Sequence, residues 1–139
     1  MKEKVFSSLI RVKLKGKGHW TRVENIAGVG IPDINFFYEG RDIWIETKIA
    51  KGQRVIFEAS QVTWYKQRYK YGGDYLIFVR KDDWIWIAKA STIFSSPGLL
   101  WSGACTKPYM VLSLFEDLSI FKDKKPVNWE EIYDILKSF

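Results

Sequence analysis

Asp33, Glu46 and Lys48 are two acids and a base inside runs that otherwise read as buried strand: DINFFY at 33–38, DIWIETKI at 42–49. The runs flank Glu39-Gly40, a natural two-residue turn. Counting outward from that turn sets Tyr38 opposite Arg41, Phe36 opposite Ile43, Ile34 opposite Ile45 and Asp33 opposite Glu46. Opposed side chains on paired strands have Cβ atoms about 4.5–5.5 Å apart. Alternation puts Ile34, Phe36, Tyr38, Ile43, Ile45, Thr47 and Ile49 on one face. Asp33, Asn35, Phe37, Asp42, Trp44, Glu46 and Lys48 take the other. Two carboxylates so close repel unless they share a proton or hold a cation between them. A divalent ion turns the repulsion into coordination, and the Thr47 carbonyl could add a further oxygen ligand. Lys48, one pleat beyond Glu46, could hold a reacting water or an anionic oxygen. On an ordinary solvated strand Glu-x-Lys is a surface ion pair. That alternative leaves the facing of Asp33 and Glu46 unexplained.

Other chemistries have little to work with. The chain of 139 residues has one cysteine, Cys105, and one histidine, His19. An internal disulfide is excluded, and so is a Cys/His zinc cage. Carboxylates and lysines must carry any reaction, and carboxylates prefer Mg²⁺ or Mn²⁺. The net charge of +6 favours polyanions, nucleic acid first. Aromatics, 17% of the chain, interleave with bases in HWTR at 19–22 and WYKQRYKY at 64–71, as a nucleic-acid surface requires. No apolar run approaches a membrane span, and the N-terminus lacks a signal-peptide pattern. The expectation is a soluble cytoplasmic protein with no membrane partner.

These residues need elements to hold them. Phe6, Ile10 and Leu14 predict a helix over 2–15, ended by Gly16 and Gly18. Strands are expected at 20–26, 33–38 and 42–49, with Gly28, Gly30 and Pro32 forming a tight connection. An extended piece at 55–57 precedes a helix over 61–71, with Ser60 as its N-cap. Strands at 75–80 and 84–88 form a hairpin around Lys81-Asp82-Asp83. Residues 95–108 read as loop and 109–115 as strand, and a last helix starts from Asn128 or Asp123. The order predicts an α/β fold with one mixed central sheet flanked by helices, as a single domain over 1–139. Its core would occupy about 1–90, with 91–139 as a C-terminal extension.

Pro32-Asp33, then Glu46 thirteen positions on, then Lys48 resembles the PD-(D/E)XK nuclease superfamily. With Gly30-Ile31 before it, Trp44-Ile45 inside it and Gln61-Val62-Thr63-Trp64 after it, the stretch is similar to the VRR-NUC branch, archaeal Holliday-junction resolvases and small phage nucleases. The likeness covers residues 1 to about 90. It implies a restriction-endonuclease-like core and a Mg²⁺- or Mn²⁺-dependent endonuclease. Asp33 and Glu46 would bind the ion, and Lys48 would act on the attacking water. It also implies a third acid on the first helix. Glu3, on the stripe of Phe6, Ile10 and Leu14, is the candidate, and Glu24 is its rival. Gln61 matches a helix-borne glutamine near the site. Arg68, seven positions on, could reach phosphate, and Arg11, Lys13, Lys15, Lys17, His19 and Arg22 would track the DNA backbone.

The resulting expectation is a structure-specific, junction-resolving DNA endonuclease acting as a homodimer. The alternatives are a nuclease of the same fold on flaps, nicked or ordinary duplex, and a non-catalytic nucleic-acid-binding module.

Overall fold

The computed structural model describes residues 1–23, 29–101 and 107–139. Five helices and eight strands follow one another along them. They are α1 (Glu3–Lys13), β1 (His19–Arg22), β2 (Ile34–Tyr38), β3 (Arg41–Ile49), β4 (Arg54–Ile56), α2 (Ala59–Lys70), β5 (Leu76–Lys81) and β6 (Trp84–Lys89). There follow α3 (Ala90–Phe94), β7 (Tyr109–Val111), α4 (Leu112–Leu118), β8 (Phe121–Lys124) and α5 (Trp129–Ser138).

Six strands form the main sheet in the order β1-β2-β3-β5-β6-β8. β3 and β5 pair in parallel, and the other neighbours are antiparallel. β4 and β7 make a separate two-stranded ribbon. The β2–β3 register follows from the sequence: Tyr38 pairs with Arg41, Phe36 with Ile43 and Ile34 with Ile45. Its turn requires positive φ at both central positions, and Glu39 (47°) and Gly40 (75°) supply it.

The sheet is covered on both faces. Phe6 and Ile10 of α1 and Ile132 and Leu136 of α5 pack on Ile34, Phe36, Ile43, Ile45, Leu76 and Phe78. The opposite face carries Ile77, Val79, Trp86 and Ala88, beneath Val62 and Tyr65 of α2, Ile93 of α3 and Phe115 of α4. Burial on both faces explains the near-continuous apolar run Leu76–Val79.

Several local expectations need correction. The N-cap of α2 is Glu58, not Ser60, closing a capping box with Gln61. The predicted strand at 109–115 stops at Val111, and residues 112–118 turn into α4. Its inward positions Leu112 and Phe115 are three apart, a helical spacing hidden within seven residues. Neither α3 nor β8 was expected. Asn128, one of the two candidates, caps α5 by accepting from the Glu131 N–H. The strand predicted over 20–26 is described as β1 through Arg22. Glu24, Gly28 and Cys105 lie outside the described residues.

Candidate active site

The β2–β3 ladder ends at Ile34–Ile45, and Asp33 lies one residue before β2, in a bend. Its backbone carbonyl accepts from the Val23 N–H (2.7 Å), beyond the end of β1. Its carboxylate turns to β3. Oδ2 accepts from the Thr47 backbone N–H (3.0 Å) and from the Thr47 hydroxyl (2.6 Å). Asp33 therefore caps the open end of the ladder with its side chain instead of extending it as a strand residue. Pulling the acid out of the strand still leaves it close to Glu46, bound to the adjoining Thr47 and near enough for its charge to act on the Glu46 carboxyl group.

Glu46 and Lys48 lie on the face covered by α2 and β4. Glu46 is 2% exposed and Lys48 7%. This rules out the surface-ion-pair alternative for Glu46-x-Lys48. Gln61 holds Glu46, its Nε2 donating to Glu46 Oε2 at 3.1 Å. Its Oε1 accepts from the Glu58 backbone N–H at 2.9 Å, so one side chain both caps α2 and orients the acid. Lys48 Nζ sits over the Phe57 ring, 5.6 Å from the centroid.

Gly30 lets the first turn of α2 come close. Its φ is +75°, and a Cβ there would meet the Ser60 carbonyl oxygen at 2.2 Å and the Gln61 nitrogen at 2.7 Å. The sequence suggests that these glycines admit a close neighbour. At Gly30 the neighbour is the first turn of α2.

Burial raises the pKa of Glu46 well above the ordinary 4.5, and the charge of Asp33 raises it further; Lys48 offsets part of this. Glu3 is also raised, first by loss of hydration around its carboxyl group and also by Asp33; Lys48, Lys51 and the Ile49 N–H pull the other way. Although Glu3 is exposed as a residue, it shares a cavity of about 360 Å³ with Ser7, Arg22, Asp33 and Thr47. Ser7 and Lys4 of this cavity were missed in the sequence. Ser7 follows Glu3 by four positions, a helical-face spacing that could have found it.

The fold thus gathers Glu3, Asp33, Glu46, Thr47, Lys48, Gln61 and Arg22 at one end of β3. Among the described residues, no group of three or more His, Cys, Asp or Glu side chains is placed to hold a metal ion. The charge of Asp33 acts on Glu46 more strongly than that of Glu3, which marks Asp33 and Glu46 as the working pair. Their donors are all oxygen, and their mutual repulsion is of the kind a hard dication relieves.

The remaining basic residues do not form one stripe. Lys17 pairs with Glu130 of α5 at 3.6 Å, and Lys13 lines a separate cavity with Arg80 and Trp129. Lys15 and His19 are exposed, and Arg11 is half-buried. Arg68 lies over Trp64 and Trp44, 4.5 and 5.7 Å from their ring centroids. It lines a groove around the start of β3, away from the acids.

No protein-family model and no curated protein matches the chain in sequence. Among solved structures the chain is similar to Hjc of Archaeoglobus fulgidus, a Holliday junction resolvase from an archaeal hyperthermophile. The TM-score is 0.59 and the identity 17%, over 96% of this chain and 97% of that one. With its mixed sheet and helices on both faces, the chain has an α/β fold that matches a restriction-endonuclease-like core.

Proposed function

We propose that the chain is a Mg²⁺- or Mn²⁺-dependent DNA endonuclease of the PD-(D/E)XK type, cutting branched DNA such as four-way junctions as a homodimer. The observation that carries this reading is the binding of Asp33 to Thr47, which sets its carboxylate beside the residue between Glu46 and Lys48 at the end of β3. The overall likeness to a junction resolvase supports it. Symmetric cutting of a junction needs two active sites, hence a two-fold dimer.

Asp33, Glu46 and the Thr47 carbonyl would hold the ion, with Glu3 as the third acid. When bound, it neutralises charge on the phosphodiester and makes a water acidic enough to attack. Thr47 fixes Asp33, and Gln61 fixes Glu46. Lys48 orients the water and stabilises the extra negative charge on the phosphate. Arg22 lines the Glu3–Asp33 cavity and would contact the adjoining backbone phosphate.

A gel assay on a four-way junction, with and without Mg²⁺, tests this. Paired symmetric nicks that need Mg²⁺ and vanish in Glu46→Gln are expected. Intact junctions and plasmid under every condition would overturn it. Equal rates on flaps and linear duplex would keep the nuclease and remove the junction preference.

One observation favours a non-catalytic nucleic-acid-binding module instead: the described residues offer no cluster of three metal-ligating side chains. Calorimetry with Mn²⁺ separates the two readings, since the module binds DNA and no metal.

A further inference from the structure

A groove of about 630 Å³ opens around the start of β3, lined by Arg41, Trp44, Arg68, Asp74 and Lys89 among others. It is not part of the acid site. Arg41 and Glu46 are five residues apart, roughly 17 Å along a strand. No role assigned to the acid cluster uses it.

Its charges are unevenly matched. Asp42, on the groove wall, accepts from Asn35 Nδ2 at 3.0 Å. Asp74 is taken up by the backbone N–H groups of Tyr75 and Ser91 and by the Ser91 hydroxyl. Among the described residues, none of the three cations forms an ion pair with either acid. Arg41 donates to the Lys137 carbonyl at 2.6 Å. Arg68 has no hydrogen-bond acceptor among the described residues, yet it is held firmly. Its stem crosses Gly73, where a Cβ would come within 2.6 Å of Arg68 Cδ. Its guanidinium lies over Trp64 and Trp44. A planar cation fixed by two rings, with free donors and two more cations nearby, is preorganised for a phosphate.

We propose that this groove is a second phosphate-binding site, filled by the backbone of bound DNA some distance from the cut. It rests on the reading of the chain as a DNA-binding nuclease. The site would anchor a duplex arm while the acid cluster works on another phosphate. Arg68 supplies the directional contact, and Arg41 and Lys89 supply charge.

The test is DNA binding in EDTA, followed by fluorescence anisotropy over a range of salt. Arg41→Gln and Lys89→Gln remove charge at exposed positions that the rings do not depend on. Each is expected to weaken binding several-fold and to reduce the slope of log K against log salt by about 0.9. Arg68→Lys keeps the charge and loses the fork, so affinity should fall with little change in slope. Lys125→Gln, at an exposed position on the separate cavity of Lys13 and Trp129, serves as the control. In parallel, the indole N–H signals of Trp44 and Trp64 should shift on adding DNA.

Unchanged affinity and slope in Arg41→Gln and Lys89→Gln, beside wild-type cutting, would overturn the groove and leave the nuclease standing. Reduced slopes in a chain that never cuts DNA would support the groove and sink the nuclease. Indole shifts with inorganic phosphate but none with DNA would assign the groove to a small free anion and overturn the proposal.

Discussion

Gln61 ties the start of α2 to the acid of β3: its Nε2 donates to Glu46 Oε2 at 3.1 Å while its Oε1 accepts from the Glu58 N–H at 2.9 Å. The helix cap and the candidate metal ligand thus depend on one amide. Gln61→Ala should cost about 1–2 kcal/mol of stability from the lost cap and buried hydrogen bond. With Glu46 no longer held, cleavage at saturating DNA should drop while affinity stays. Urea midpoints and single-turnover rates check both effects.

Gly30→Ala should be more damaging than its size suggests. The added methyl meets backbone, 2.2 Å from the Ser60 oxygen, at a φ that L-residues rarely adopt. The first turn of α2 must move, carrying Gln61 with it. A loss of more than about 2 kcal/mol is expected from strain and clash together. Thermal unfolding measures it, and wild-type stability in this variant would show that the close approach is not real.

Thr47→Val keeps shape and the backbone N–H but removes the hydroxyl that donates to Asp33 Oδ2 at 2.6 Å. Hydrogen bonds to charged groups contribute about 1.5–3 kcal/mol. The variant should lose stability in that range and bind Mn²⁺ more weakly. Denaturant titration and calorimetry give the two readings.

Glu46 predicts a pH dependence. Its folded pKa is raised above the ordinary 4.5, chiefly by burial and next by Asp33. The folded state therefore holds the proton longer than the unfolded chain does. Below the unfolded pKa the group costs nothing. As pH rises past it toward the folded pKa, stability falls. Glu3 is raised too and adds to the same slope. Glu46→Gln should flatten the fall, seen as a Tm less dependent on pH from about pH 4.5 upward. A steeper fall in the variant would contradict the assignment.

A bound dication should reverse that loss at neutral pH, where both carboxylates are wanted ionised. At a concentration 100 times Kd, binding to the folded state alone contributes about 2.7 kcal/mol. Mg²⁺ or Mn²⁺ should raise the Tm of the wild type and leave Asp33→Asn/Glu46→Gln unmoved. Equal shifts in both would place the ion elsewhere.

Much of the central hairpin was legible in the residues. Alternating isoleucines and a Glu-Gly turn fix a register, because a slip of one residue would move every apolar side chain to the wrong face. The helix stripe of Phe6, Ile10 and Leu14 was legible for the same reason. The start of β7 was legible, but residues 112–124 were not: α4 and β8 span seven and four residues, too short for either period to stand out.

The sequence by itself determined that Asp33 and Glu46 would come together, since local alternation and one turn suffice to align them. Tertiary structure decided the rest. Asp33 left the strand because the Thr47 N–H, at the end of its ladder, needed an acceptor. Glu46 and Lys48 became buried because α2 and β4 pack over them. Arg68 points into the far groove because Trp44 and Trp64, from a strand and a helix, together make its bed. Periodicity is a property of neighbours along the chain. Where a long cationic side chain comes to rest is set by surfaces the chain brings together only on folding.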